Sequence, residues 1–236
     1  MARTVKPDEV ARKRSEILDA AQRLIYTKGY QRMTIQDIRS ALGMSSGAFF
    51  HYFPSKAAVL TALIERIQEG VEAPIQAFVD DPALSGIDKL KSFFTTLEQA
   101  RVSQQAFIFE LAQVWLTDDN VLVREKVEEA LAARRLPLLT RIIQQGAREG
   151  ALDTHHPERA AEIILALARS MGTTITRQML AARQSPDHDA AVAALVDTYS
   201  AYADAVERVL GAPPFFERPD AAAFNHWLFG AAPSQP

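Results

Sequence analysis

The chain has 236 residues, of which 48% are hydrophobic, enough to bury a sizeable core in one or two globular domains. It holds no cysteine, which excludes disulfides, thiolate metal sites and cysteine nucleophiles. No stretch approaches the roughly 18 consecutive apolar residues of a membrane span, and no apolar segment follows the basic start Met1–Lys6. The chain is therefore expected in the cytoplasm, with no membrane partner.

The net charge of −3 is unevenly spread. Residues 1–60 carry ten Lys and Arg against five Asp and Glu, a net +5, which leaves −8 for the remainder. A basic head on an acidic body is what a polyanion-binding module would show.

Apolar periodicity is helical nearly throughout and no strand-like alternation of any length occurs, which predicts an all-α fold. From about residue 10, Ile17, Leu18, Ala21, Leu24 and Ile25 fall on one helical face, and Lys28-Gly29 ends the helix with a cation and a left-handed stop. A short second helix opens at Thr34, whose hydroxyl is placed to cap the amides of Gln36 and Asp37, with Ile35, Ile38 and Leu42 facing inward. After Leu42-Gly43-Met44-Ser45 comes a short third helix, closed before Pro54. Ser55 caps a fourth helix carrying Val59, Leu60, Leu63, Ile64 and Ile67.

Pro74 is expected to kink or break that helix, and residues 80–86 read as a loop. Helical runs follow at about 87–101, 104–116, 119–149 with Pro137 as an internal kink, 157–184 and 187–210. Gly150 and His155-His156-Pro157 separate the third and fourth runs. The tail from Gly211 is proline-rich, but Phe215, Phe216, Phe224, Trp227, Leu228 and Phe229 argue against pure disorder.

A short second helix, a glycine turn and a short third helix within about 45 residues form a helix-turn-helix arrangement. Gly43 permits the sharp turn, and Met44 is placed to plug the gap between the helices. Phe49 and Phe53, at i and i+4, face the first two helices. The opposite side shows Ser46, Gly47, Ala48 and His51, small or polar residues that let a helix approach base edges in a major groove. Thr34, Tyr52, Ser55 and Lys56 flank it as phosphate-positioning groups, and Ser45 is counted with the DNA-binding residues. A short helix of an ordinary bundle, with serines serving only as caps, is the alternative for this segment in isolation. The basic head and the Pro-Ser-Lys start of the next helix favour the DNA-reading role.

Residues 13–67 resemble the DNA-binding domain of TetR/AcrR transcriptional regulators. The matching pieces are Ile17-Leu18-x-x-Ala21, Lys28-Gly29-Tyr30, Thr34-Ile35-x-x-Ile38, Leu42-Gly43-Met44-Ser45-x-Gly47, and Tyr52-Phe53-x-Ser55-Lys56 with Leu60. Two departures stand out. The family usually has Leu-Tyr where this chain has Phe49-Phe50, so one phenol that would reach a phosphate is missing. Tyr52 and Ala57 replace the family's common His and Glu.

The resemblance implies a homodimer that sets two heads on a palindromic double-stranded operator and a C-terminal domain that holds a small-molecule inducer. The expected organisation is a head at 1–60, a linking helix at about 55–70, a regulatory and dimerisation domain at 71–210 and a tail at 211–236. The runs 157–184 and 187–210 would pair with their mates, through Ile164, Ala168, Met171, Ile175, Tyr199, Tyr202 and Val206. The pocket is expected around Phe94, Leu97, Phe107, Glu110, Gln113, Arg169 and Thr173. Arg169 has two readings: an arginine meeting the interface rim or an internal carboxylate, and a counter-charge for an anionic inducer. The histidines do not fall at metal-ligand spacing, and no nucleophile–base constellation or phosphate loop occurs. No metal, cofactor or enzymatic activity is expected. The expected function is a ligand-released repressor; the alternative is a DNA-binding adaptor controlled by a protein partner.

Overall fold

The structure, a computed structural model, describes residues 7–103, 109, 112, 116 and 121–229. Among the described residues the regular structure is entirely α-helical: α1 (Pro7–Lys28), α2 (Ile35–Leu42), α3 (Ser46–Tyr52), α4 (Lys56–Asp80), α5 (Gly86–Ser103), α6 (Val121–Arg148), α7 (Pro157–Ala182), α8 (His188–Leu210) and α9 (Ala221–Phe229). They divide into two compact units. The first runs to Glu69 and takes in the start of α6 up to Val127; the second begins at Gly70 and resumes at Glu128.

In the first unit, α1 begins at Pro7, where a missing N–H costs nothing, and Asp8 and Glu9 meet the positive end of the helix dipole. Ile17, Leu18, Ala21 and Ile25 go into a core with Met33, Ile38, Phe49, Phe53, Val59, Leu60 and Leu63. Each large aliphatic or aromatic side chain so buried contributes roughly 1.5–3 kcal/mol. Gly43 ends α2 at φ 62 and ψ 31, and its N–H reaches the carbonyls of Arg39 and Ser40. A side chain there would meet nothing within 4 Å, so it is the left-handed backbone that demands glycine. Arg66 of α4 holds α1 through Asp19 at 2.6 Å and Gln22 at 2.7 Å.

The second unit has its own core, built on Val71, Ile75, Val79, Leu90, Phe93, Leu139, Ile142, Ile143, Ile164 and Leu210. Pro74 does not break α4, and α6 likewise runs on through Pro137. Val71, Ile75 and Val79 bury the same stripe on both sides of Pro74, and that burial offsets the lost hydrogen bond. The start of α5 crosses α6 backbone to backbone, since a Cβ on Gly86 would lie 2.4 Å from the Gly146 nitrogen. Glu149 caps that start, its carboxylate accepting from the Gly86 N–H at 2.7 Å.

The tail is folded. Beyond Gly211, Phe215 and Phe216 pack on Phe94 of α5 with ring centroids 5.9 and 4.6 Å away. α9 then lies on α8, burying Phe224 and Leu228. The expected run at 104–116 lies outside the described residues except at 109, 112 and 116.

Candidate nucleic-acid interface

α3 has seven residues, and what holds it in place is mostly local chemistry. The Ser45 hydroxyl accepts from the Ala48 N–H at 3.2 Å, which starts the helix. Phe49 (0% exposed) and Phe53 (1%) anchor one side in the core of the first unit. Ser45, Ser46, Gly47, Ala48 and His51 are exposed, so the small, polar side expected from sequence faces solvent. Met44 is half-buried and packs on the core beneath the turn.

The flanking groups are more engaged than their sequence suggests. Thr34 forms a full capping box: its hydroxyl accepts from the Asp37 N–H at 3.1 Å, while its own N–H donates to the Asp37 carboxylate at 2.7 Å. The cap lands on Asp37 rather than on Gln36 and Asp37 together. Lys28 pairs with the same carboxylate at 2.6 Å. The Lys28 contact, then the Thr34 hydroxyl and N–H, lower the Asp37 pKa from 3.8 to about 2. The stabilising share of this knot is complete above the unfolded value of 3.8 and is lost as pH falls through about 2.

Lys56 is half-buried, and its ammonium donates to the Gln31 carbonyl at 3.1 Å and sits 4.2 Å from the centroid of the Tyr30 ring. Burial lowers its pKa, with the Asp37 charge opposing. Lys56 thus ties the α1–α2 turn to the start of α4. Ser55 accepts from the Ala58 N–H at 3.0 Å and keeps a hydroxyl proton to donate outward. The Tyr52 ring lies edge-on to His51 at 5.1 Å.

One residue escapes the sequence reading. Arg14 of α1 donates to the Tyr52 carbonyl at 2.6 Å, and its guanidinium lies 4.2 Å from the Phe53 ring centroid. It is separated from Tyr52 by 38 residues, so no local spacing announces it. Phe50, where the family's phosphate-reaching phenol is missing, is 48% exposed beside the small residues of α3.

In the second unit, Ile164, Ile175, Tyr199 and Val206 are buried within the chain itself. α7 and α8 pack against each other, and Tyr199 also meets Phe224 of α9 at 6.4 Å. Ala168, Met171 and Tyr202 are half-buried, and Tyr202 shares a 2.7 Å hydrogen bond with Ser170. Among the large hydrophobic residues of α7, Ile163 is 49% exposed.

Arg169 is exposed on α7, and its Nε lies 3.7 Å from the Glu128 carboxylate. Phe94 and Leu97 are half-buried against the core, and Thr173 is half-buried on α7. Phe107, Glu110 and Gln113 lie outside the described residues. A cavity of about 330 Å³ lies elsewhere, lined by Val79, Lys89, Arg141, Ile142, Gln144, Gln145 and Arg148, none of them an expected pocket residue. Two of its cations are already matched: buried Lys89 donates to the Val79 carbonyl at the end of α4 at 2.8 Å, and Arg141 meets Asp80 at 2.7 Å. Among the described residues no cluster of three or more His, Asp or Glu is arranged to hold a metal, and no helix is long and apolar enough to cross a membrane.

Residues 17–63 match the family model of bacterial regulatory proteins, tetR family. The chain is 27% identical over 172 residues to the HTH-type transcriptional regulator EthR of Mycolicibacterium smegmatis, a match that covers 64% of this chain and 79% of that one. It is 39% identical over 69 residues to an HTH-type transcriptional repressor of Mycobacterium tuberculosis, where the match covers 29% of this chain and 37% of the relative. In fold it is similar to a TetR-family transcriptional regulator from Pectobacterium atrosepticum, with a TM-score of 0.61, 17% identity and coverage of 89% of this chain and all of that one.

Proposed function

We propose, from the premise that this chain is a TetR/AcrR-family helix-turn-helix regulator of transcription and not an enzyme, that it is a repressor. In this reading two copies hold a palindromic operator, and a small, mostly apolar inducer releases them. The observation that carries it is the exposed side of α3, where Ser46, Gly47, Ala48 and His51 present little bulk to a groove while Phe49 and Phe53 fix the helix from behind. The repressor named among the relatives supports the sign of regulation.

The domain reading keeps the head, the linking helix and the regulatory body as the working parts. α4 runs from Lys56 to Asp80, with its residues up to Glu69 in the first compact unit and those from Gly70 in the second. Induction is then a population shift: a ligand that prefers a head spacing unsuited to two half-sites lowers DNA affinity.

The test is selection of random-sequence duplexes by the full chain near physiological salt, followed by sequencing. Recovery of a palindrome supports the specific regulator. Uniform recovery would point instead to a DNA-binding adaptor held by charge alone, and no recovery would remove the DNA-reading role of α3.

Lys56 is given two jobs, a strut to the α1–α2 turn and a phosphate contact. Lys56→Met is expected to lower the stability of the head by about 1 kcal/mol, through the lost charged hydrogen bond and ring contact. It is also expected to reduce the log–log salt slope of DNA binding by about 0.9 per head. A lower melting temperature with an unchanged salt slope would leave only the strut.

A further inference from the structure

We propose that Phe50 is the residue by which this chain reads thymine, its ring meeting the 5-methyl group of a thymine in the major groove. The proposal rests on the DNA-reading role of α3 given above. Phe50 is 48% exposed, whereas its neighbours Phe49 and Phe53 are 0% and 1% exposed. Among the exposed large hydrophobics of the described residues, only Ile163, at 49%, is as open.

A helical side chain leans toward the turn before it, which for Phe50 is the turn of Ser46 and Gly47. Neither residue has bulk to cover the ring, and even an added Cβ on Gly47 would meet nothing within 4 Å. The ring lies edge-on to Phe49 at 5.6 Å with an interplanar angle of 87°. It is therefore about half open to solvent on the same helix that presents Gly47 and His51.

Single exposed hydrophobics are common and need no explanation in general. This one sits on a surface assigned to a polyanion, and a phenyl ring has neither charge nor hydrogen-bond donor to give a phosphate. What it gains on DNA is apolar burial. The major groove offers one exocyclic apolar group to a side chain there, the thymine methyl. Burying one such methyl is worth about fourfold in affinity, or about fifteenfold when both half-sites supply one.

The experiment uses the full chain and a palindromic duplex recovered by the selection described above. Each thymidine in turn is replaced by deoxyuridine, which removes the methyl and leaves the base pairing unchanged. The expected result is one position per half-site where the replacement weakens the wild-type protein about fourfold, and about fifteenfold when both are replaced. Phe50→Ala, whose helical content and melting temperature are checked beside the wild type, is expected to bind the two duplexes equally.

A wild-type protein indifferent to deoxyuridine at every position overturns the proposal while leaving α3 as a reading helix. Undiminished discrimination in Phe50→Ala overturns it too, since another residue would then feel the methyl. A protein that selects no duplex at all fails at the earlier step, and takes the parent reading with it.

Discussion

Gly47→Glu is expected to leave the fold intact and remove specific DNA binding. The first half follows from the space around Gly47: an added Cβ meets nothing within 4 Å, and the backbone there is ordinary helix. Replacing a helical glycine by a residue of good helix propensity adds a few tenths of a kcal/mol to stability. The second half follows from what an added glutamate would face. On the outward side of α3 it would fill the gap through which, in the proposed function, the helix approaches base edges, and it would set a carboxylate against a phosphate-lined groove.

Like charges forced together at an interface cost several kcal/mol, so a loss of at least about 100-fold per head is expected. The check is a pair of measurements on one preparation: thermal unfolding, and titration of a selected duplex at fixed salt. Gly47→Ala gives the graded control, because it adds only a methyl. If Gly47→Glu kept operator affinity within a few-fold of wild type at an unchanged melting temperature, α3 would not be the reading helix.

The second large effect is predicted at the other end of the chain. Glu207→Ala is expected to free the segment that follows α8. Glu207 is 6% exposed and is one of two charged side chains buried to this degree among the described residues. One carboxylate oxygen accepts from the N–H groups of Phe215 at 2.7 Å and Phe216 at 3.0 Å. The other meets Arg218 at 2.7 Å, and Arg218 also reaches Asp204 at 2.6 Å. Burial by itself pushes the Glu207 pKa up, but the hydrogen bonds from Arg218 and from the amides of Phe216 and Phe215 together hold it below the ordinary carboxylate range.

Removing the carboxylate leaves two partly buried amides without their acceptor and strands one side of Arg218. Arg218 retains Asp204 and some access to water, so the cost is about 3 kcal/mol rather than that of a fully buried broken pair. Phe215 and Phe216 would then leave Phe94, and the path to α9 would loosen with them. The check is denaturant unfolding of the full chain, with limited proteolysis at Phe215–Arg218 as a local readout. Glu207→Gln, which keeps an acceptor and loses the charge, should fall between the two.

The pH dependence follows from the lowered pKa. The contribution of Glu207 is complete above the unfolded carboxylate range and disappears as pH falls through the lowered folded value. Wild-type cutting between Phe215 and Arg218 should therefore stay slow at neutral pH and rise in acid, while Glu207→Ala should be cut quickly at both. Equal cutting rates in wild type and Glu207→Ala at neutral pH would show that the aromatic contacts alone hold the segment.

The two units differ in how far their amino acids announce them. In the head, the interactions that set each helix end span three or four residues: Thr34 with Asp37, Ser45 with Ala48, Ser55 with Ala58, and Gly43 with Arg39 and Ser40. Propensity, capping and helical periodicity are local, so the order α1–α4 and the two-sidedness of α3 follow from residue spacing alone. The use made of the polar groups is not local. Lys56 finds Gln31 across 25 residues, and Arg14 finds Tyr52 across 38. Only the packed head shows that these cations are partly committed to holding it together.

In the body, periodicity gave most helix positions, though not the run of α4 through Pro74 or α9, and the partner of each face was not legible. A helix apolar nearly all round, such as α7, buries against whatever lies beside it, and hydrophobicity carries no label for a neighbour in the same chain or in another. Ile164, Ile175, Tyr199 and Val206 satisfy that demand within the chain. The chain's own residues thus dictated helix order in the head, the all-α class and the exposed small-residue face of α3, because their causes act over one or two turns. Tertiary packing decided which charges were matched internally, which apolar residues were left outside and what the aromatic tail covers, because those outcomes depend on contacts between distant parts of the chain.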